Sequence, residues 1–468
     1  MTVADLQAAL AAVSLAKSPD DWALAAYRLA VAQSESARRP ADVDEALELL
    51  DKAARILSAE RAPVEHGRIL TAAANCHRAR GNHHKTLELF ERAAGLLDAR
   101  APINEQAGAH INVGLARSEA GRPHAGVEAA DRAIDLLTRE AETARRLVDG
   151  TDGEAAETAE TAGIDLNSET DPAEEVDPTG PTEETRRLLG AAHINRAQAR
   201  QALSGLEDLE LAADDYRSAL GVLAAESLQA GMAAHGLGAT LLELCRRDSA
   251  RWPAGDAVAA FEQCLNVLSH RNFPFHHAVA RHSLALAYEA RGEPGDPARA
   301  LNSAQAAISM FDPRLHASHW RTAHDTLARL TAVLDEARPG ADRNDHIARL
   351  LADIPETERD NLLRDRLLRA ASLPATGQKT DLGSLISSLA SLDADDYRQV
   401  LRSLIGVLME LPDRLLETAC ATICGVHAGS CSPQILDEML DTVITERLFG
   451  PQRVRVRDLL EAEGWVRP

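Results

Sequence analysis

The chain has 468 residues, with 50 Lys and Arg against 72 Asp and Glu, a formal net charge of −22, and 45% hydrophobic but only 3% aromatic residues. This composition disfavours a β-sandwich or barrel, which depends on aromatic and β-branched strands, and it argues against collagenous, disulfide-scaffold and membrane classes. The acidic excess argues against a general nucleic-acid binder, because recognition of phosphates needs Lys and Arg. We expect a core built mainly from small, closely packed side chains.

The N-terminal segment, residues 1–22, has no basic region before its apolar stretch and carries Asp5 near its start, so it does not read as a signal peptide. The sequence contains no apolar run of about 18 residues, and its six cysteines are too few for a disulfide framework. We therefore predict a cytoplasmic, reduced protein that contacts no membrane. Only four of the 50 basic residues are lysines, which indicates a GC-rich bacterial genome.

The chain repeats one pattern of small residues around a turn glycine. Residues 70–93 and 110–133 align without a gap, with Gly81 and Gly121 at the turn, and 281–307 repeats the pattern with a turn three residues longer. Weaker copies lie at 22–53, 190–219 and 234–264. Each copy predicts two amphipathic helices that cross at Gly, Ala or Cys, since small side chains let helix axes approach within about 8–10 Å. One pair cannot bury its apolar face alone, so we predict that the pairs stack into a superhelix.

This pattern resembles the tetratricopeptide repeat, a helix–turn–helix unit of about 34 residues with small residues at its eighth and twentieth positions. The units 67–100 and 107–140 carry most of the resemblance, although Thr86 and Gly126 stand where Ala is usual. The resemblance implies an all-α superhelix of bacterial, divergent repeats that binds a protein or peptide partner in a concave groove. It specifies the fold better than the function, because the same repeats serve many partners.

Composition divides the chain into four segments. We predict N-terminal repeats at 1–146, an acidic insertion at 147–185, further repeats at 186–338 and a helical C-terminal domain at 339–468, which resembles no family. The insertion holds 13 Asp or Glu and no Lys or Arg. It lacks the apolar content that offsets the entropy of ordering, so we expect it to be disordered. It is either a solvated tether or an acidic decoy for a basic groove.

The first helix of each repeat is expected to line the concave groove. In the first half, this face presents four polar side chains: Arg68, Thr71, Asn75 and Arg78. They suit a carboxylate or an acidic segment through charge-assisted hydrogen bonds, and the chain's own insertion is a candidate occupant. In the second half, one repeat position carries His235, His282 and Asp325. Adjacent members should lie about 10 Å apart, so they could contact an extended peptide but could not form a triad or a single metal site.

We predict no metal and no cofactor. The strongest Cys/His cluster is Cys420-x3-Cys424-x2-His427-x3-Cys431, which follows one stripe of a helix whose ends would lie about 16 Å apart. A buried core face explains this stripe better than zinc does. Seven of the 17 histidines fall between 270 and 324. The sequence leaves open whether they form a metal or ligand site near the last repeats.

We predict a protein-interaction scaffold or regulatory adaptor, and the sequence favours a binding protein over an enzyme. One alternative is an enzyme, an accessory protein or a sensor with a His-rich site between the last repeats and the C-terminal domain. Another is a structural subunit of a larger assembly, held by the Leu-rich segment 401–416. The sequence names neither the partner nor the oligomeric state.

Overall fold

A computed structural model describes residues 2–37, 39–149, 181–337, 343–430 and 432–468. Within these ranges the chain forms 21 α-helices and no β-strand, so the predicted all-α class is confirmed. None of the helices in the described ranges has the length and apolar character needed to cross a bilayer.

The chain divides into two compact units, Met1–Thr240 and Leu241–Pro468, and the division falls within helix α10. The helices up to this point are α1 (Val3–Ala12), α2 (Pro19–Ser36), α3 (Pro40–Ile56), α4 (Pro63–Ala79), α5 (His83–Leu97), α6 (Ile103–Glu119), α7 (Pro123–Asp149), α8 (Glu183–Leu203), α9 (Leu206–Val222) and α10 (Leu228–Arg247).

Unit 1 is a stack of helical hairpins, as predicted. Helix α2 pairs with α3, α4 with α5, α6 with α7 and α8 with α9, and each hairpin also packs on the next. Gly81 and Gly121 end the first helices of two hairpins at φ of +72° and +74°, a left-handed conformation that glycine adopts without strain. The tetratricopeptide-like arrangement of the repeats is thereby confirmed.

The predicted small residues stand where the helices cross. A Cβ added at Gly126 would lie 3.0 Å from the carbonyl oxygen of Gly114, so the two backbones of this crossing are in direct contact. At the equivalent crossing of α4 and α5, Ala74 is fully buried against Thr86. Thr86 is tolerated there because its hydroxyl donates to the carbonyl oxygen of Asn82 at 2.9 Å.

The predicted insertion does not interrupt the stack of unit 1. Helix α7 continues to Asp149 and α8 begins at Glu183, so both edges of the predicted segment 147–185 are helical. The two helices pack directly on each other, and α6 also contacts α8. The remaining residues of the insertion, 150–180, lie outside the described residues.

The helices that follow α10 belong to unit 2. They are α11 (Ala254–Val267), α12 (Pro274–Arg291), α13 (Asp296–Met310), α14 (Ala317–Ala337), α15 (Arg343–Asp353), α16 (Glu356–Ser372), α17 (Ala375–Leu389), α18 (Ala394–Leu408), α19 (Asp413–Ala428), α20 (Pro433–Arg447) and α21 (Gly450–Ala462). Helices α12 and α13 form a hairpin whose longer turn contains Gly292 and Gly295, both with positive φ. Helix α13 also packs on α15, so the last repeats and the C-terminal helices share one unit. The boundary predicted at 338/339 lies among residues 338–342, outside the described ranges.

Most apolar side chains of the Leu-rich segment 401–416 are buried within unit 2, although the segment also carries exposed polar residues. Leu401, Leu404, Ile405 and Leu408 are each at most 1% exposed. The expectation that this segment offers an exposed surface for assembly is therefore not met, because its apolar side chains pack within the unit that contains them.

Candidate functional site

A cleft of about 350 Å³ opens in unit 1 between α2 and α4. Its walls include all four polar side chains predicted for the first-half groove: Arg68, Thr71, Asn75 and Arg78. Helix α2 contributes Tyr27, Val31 and Glu35 to the opposite wall. The structure therefore brings the predicted residues together in one concave surface.

The spacing of the α4 residues explains why they share this surface. Positions 68, 71, 75 and 78 recur every three or four residues and so lie on one helix face. The buried side chains of Ile69, Ala72 and Cys76 pack in a core with α2 and α3, whereas Leu70 and Ala74 pack in a core with α5. Packing on both sides of α4 thus holds the polar face toward the cleft.

The cleft contains one fixed guanidinium group and one unpaired guanidinium group. Arg68 donates two hydrogen bonds to Glu105, at 2.8 and 2.7 Å, and these bonds raise the pKa of Arg68 above its ordinary value. Thr71 donates to the carbonyl oxygen of Gly67 at 3.0 Å. Arg78 and Asn75 are exposed, and within the described chain neither side chain makes a hydrogen bond or an ion pair. Both remain available to a ligand.

The opposite wall offers apolar contact beside these polar groups. Tyr27 is partly buried, which raises the pKa of its phenol, and Val31 lies one turn further along α2. The cleft therefore combines a cation, a carboxylate, a carboxamide and an aromatic ring, a combination that can hold an extended peptide by its side chains and its backbone.

His235, His282 and Asp325, which are predicted to occupy the same position in successive repeats, have different surroundings. His235 is partly buried in unit 1, whereas His282 and Asp325 belong to unit 2. The Nε2 of His282 lies 3.1 Å from the hydroxyl of Thr326, and burial lowers the pKa of the ring. Asp325 is exposed on α14. One of the three residues lies in unit 1 and two lie in unit 2, so their alignment along one groove stays a prediction.

Sequence analysis missed a histidine motif that joins successive hairpins. The pattern Leu-Ser-x4-Pro-x-x-His occurs at 57–66 and again at 268–277. In both copies, the Nδ1 of the histidine lies 2.7 Å from the carbonyl oxygen of the leucine, which caps the preceding helix. The recurring spacing is a signal that could have revealed it. His66 and His277 satisfy carbonyl groups that a helix end otherwise leaves unpaired.

His277 should make the stability of unit 2 depend on pH. Burial and the neighbouring Arg281, which donates to Nε2 at 3.3 Å, lower the pKa of His277 from 6.5 to about 4. Between these values the unfolded chain binds a proton that the folded chain does not, so this contribution to stability is complete above about pH 6.5 and declines toward pH 4. The stability advantage of the wild type over His277→Gln, measured by urea unfolding, should therefore shrink over this interval.

Three residues of the predicted Cys/His cluster, Cys420, Cys424 and His427, lie on α19. Cys431 is outside the described residues. The Nε2 of His427 lies 2.7 Å from the Tyr397 hydroxyl, and its Nδ1 lies 2.9 Å from Asp437, so both ring nitrogens are engaged. Burial raises the pKa of Cys420 to about 12 and that of Cys424 to about 11. These contacts favour the core interpretation over a metal site.

Comparison with known proteins shows that this chain is similar to several solved structures. No family model and no curated protein matches the chain. The complex of yeast Sti1 TPR2AB domain with pHSP90 is 16% identical, covers 65% of this chain and 98% of its own, and has a TM-score of 0.22. The P58(IPK) TPR domain is 11% identical over 94% and 97% of the two chains, with a TM-score of 0.25. Yeast Tom70 is 12% identical over 95% and 96%, with a TM-score of 0.19.

Proposed function

We propose that this chain is a protein-interaction scaffold that holds an acidic, extended segment of a partner protein in the unit 1 cleft. The observation that carries the proposal is the unpaired Arg78 guanidinium beside the unpaired Asn75 carboxamide in a cleft that already exists without a ligand.

Each group has a distinct part in the proposed binding. Arg78 pairs with a carboxylate of the partner, while Asn75 exchanges hydrogen bonds with the backbone of the same segment. Arg68 is held in place by Glu105, so binding does not have to order its side chain. Tyr27 and Val31 supply the apolar contact. A preformed cleft of this kind loses little conformational entropy when a ligand docks.

The proposal extends to a regulatory role. A rigid repeat stack that grips one segment of a partner can position the rest of that partner, and His235, His282 and Asp325 would supply further contacts along the chain. The cytoplasmic location expected from the sequence suits such an adaptor.

Binding of an acidic peptide tests the proposal. The probe is a fluorescent peptide of residues 151–160, which contains four acidic residues, and the protein is the chain from which 151–180 has been removed. We expect saturable binding by fluorescence anisotropy, and Arg78→Ala should weaken it by about 10–100-fold, because a charge-assisted hydrogen bond is lost. A neutral peptide with Asn and Gln in place of the acidic residues should bind much more weakly.

Arg92→Ala provides the matched control, because Arg92 is an exposed arginine of the neighbouring helix α5 and its loss changes the net charge equally. Equal weakening by the two substitutions would mean general attraction between charges and would contradict a site at Arg78. The intact chain adds a second comparison. If it binds the peptide more weakly than the shortened chain does, the insertion competes for the cleft, whereas equal affinity supports the tether interpretation.

A further inference from the structure

Unit 2 contains a larger cleft, of about 1060 Å³, which we call the unit 2 cleft. Helices α11, α12 and α13 and the loop between α11 and α12 contribute side chains to its lining, and α16 contributes the rest. Clefts that bind small molecules commonly enclose about 300–1000 Å³, so the unit 2 cleft has room for a ligand of this kind.

Cations outnumber carboxylates in the part of the cleft where α12 begins. Around the ring of His270, the described chain places three guanidinium groups, those of Arg271, Arg281 and Arg369, and one carboxylate, that of Asp365. Burial and the three arginines together outweigh Asp365 and lower the pKa of His270 below 6.5, so its ring is neutral at pH 7. Three positive charges against one negative charge leave a local surplus of two, in a chain whose formal net charge is −22.

The single carboxylate of this cluster is already shared by two of the arginines. Arg281 pairs with Asp365 from α12, and the Nε of Arg369 lies 3.6 Å from the same carboxylate. The other carboxylates that line the cleft have partners of their own, which are Tyr288 for Glu262, Arg291 for Glu293 and Arg299 for Glu358. The described lining therefore offers no further carboxylate to neutralise the surplus.

Two arginines of the cluster can be reached from the cleft. Arg271 lines the cleft and is exposed, and within the described chain its side chain makes no hydrogen bond or ion pair. The side chain of Arg281 is 15% exposed. Its Nε donates to His277 and its Nη2 to Asp365, whereas its Nη1 has no hydrogen-bond partner in the described chain and is not fully buried. Both guanidinium groups thus have donors available to a ligand.

The motif Leu-Ser-x4-Pro-x-x-His forms in unit 1 without these cations. In its copy at 57–66, Glu60 stands where unit 2 has Arg271, and four residues beyond the motif Leu70 stands where unit 2 has Arg281. Glu60 is exposed, and Leu70 is buried in a core with α5. The helix-end hydrogen bond that the two copies share therefore does not require an arginine at either position.

We propose that the unit 2 cleft binds a small organic anion, whose carboxylate or phosphate group lies between Arg271 and Arg281. An anion at this position balances the surplus of positive charge, and arginine can donate two parallel hydrogen bonds to either group. The less polar part of the ligand contacts the apolar side chains of the same cleft, which are Leu284, Tyr288 and Leu362. This site is separate from the peptide cleft of unit 1 and does not depend on it.

Three probes that share one ring test the proposal on the full chain by isothermal titration calorimetry. Benzoate presents a carboxylate, phenyl phosphate presents a phosphate, and benzamide is the neutral analogue of benzoate. We expect saturable binding of at least one anion, with benzamide bound at least tenfold more weakly than that anion. The tighter of the two anions identifies the group that the cleft prefers. Arg271→Ala should weaken anion binding by about 10–100-fold, because hydrogen bonds to a charged group are lost, and Arg271→Lys should weaken it less.

Two control variants separate this site from general attraction between charges. Arg321→Ala removes an exposed arginine of α14 that does not line the cleft, and Arg78→Ala removes the unpaired cation of the unit 1 cleft. Both should bind the anion with wild-type affinity. Wild-type affinity in Arg271→Ala would overturn the proposal. Equal affinity for benzoate, phenyl phosphate and benzamide would also overturn it, as would the absence of saturable binding by either anion.

Discussion

Replacing Asp215 by Ala is expected to lower the free energy of unfolding by about 3–5 kcal/mol, because it leaves buried charges without a partner. The side chain of Asp215 is 3% exposed on α9 and accepts hydrogen bonds from Arg196 at 2.5 and 2.9 Å and from Arg200 at 2.6 Å. Those guanidinium groups are largely buried themselves, and a second carboxylate, Asp131, contacts only Arg196. Urea unfolding followed by circular dichroism measures the change.

The neighbouring Asp214 offers a close control for this experiment. It lies next to Asp215 in the same helix but is mostly exposed and pairs only with Arg217, on the next turn. Asp214→Ala should change stability by about 0.5 kcal/mol or less, as exposed ion pairs do. Similar losses from both substitutions would show that the buried network does not contribute as argued.

The ion pairs of Asp215 should make the stability of unit 1 sensitive to acid. Burial by itself would raise the pKa of Asp215, but the His193 ring and the two guanidinium groups outweigh burial and hold the pKa below its ordinary value of 3.8. The contribution of Asp215 is therefore complete above that ordinary value and is lost as the pH falls through the lower, folded-state pKa. Asp215→Asn should remove this part of the acid sensitivity.

Gly236→Leu is expected to destabilise unit 1 by about 3 kcal/mol, because no space exists for a side chain at this position. A Cβ on Gly236 would lie 2.3 Å from the ring of Tyr216, well inside van der Waals contact. The ring cannot move aside easily, since it is buried and its hydroxyl donates to Gln201 at 2.8 Å. Thermal and urea unfolding should both report the loss.

At Gly108, another helical glycine, we expect a substitution to stabilise the chain. It lies within α6, and a Cβ added there would meet no atom within 4 Å. Gly108→Ala should therefore stabilise the chain by about 0.5–1 kcal/mol, because alanine loses less conformational entropy in a helix. A stabilising effect at Gly236 as well would contradict the close crossing of α9 and α10.

One wall of the unit 1 cleft could be predicted from the sequence and the opposite wall could not. The face of α4 with Arg68, Thr71, Asn75 and Arg78 was predictable, because helical spacing alone places these residues together. The opposite wall of that cleft was not, since nothing in the sequence pairs Tyr27 or Glu35 with α4. A site between the last repeats and the C-terminal helices was expected from the sequence, but most of the residues that line the unit 2 cleft were not, because α12 and α16, which form its walls, lie about 80 residues apart in the chain.

The amino-acid sequence by itself determined the helices, their pairing into hairpins and the small residues at the crossings, because these follow from spacing and size within about 34 neighbouring residues. Only the tertiary structure decided which side chains are unpaired, which carboxylates are shared, and that the leucines at 401, 404, 408, 415 and 416 are buried. Those properties depend on contacts between residues distant in sequence, and burial, hydrogen bonding and electrostatic pairing exist only once such residues have been brought together.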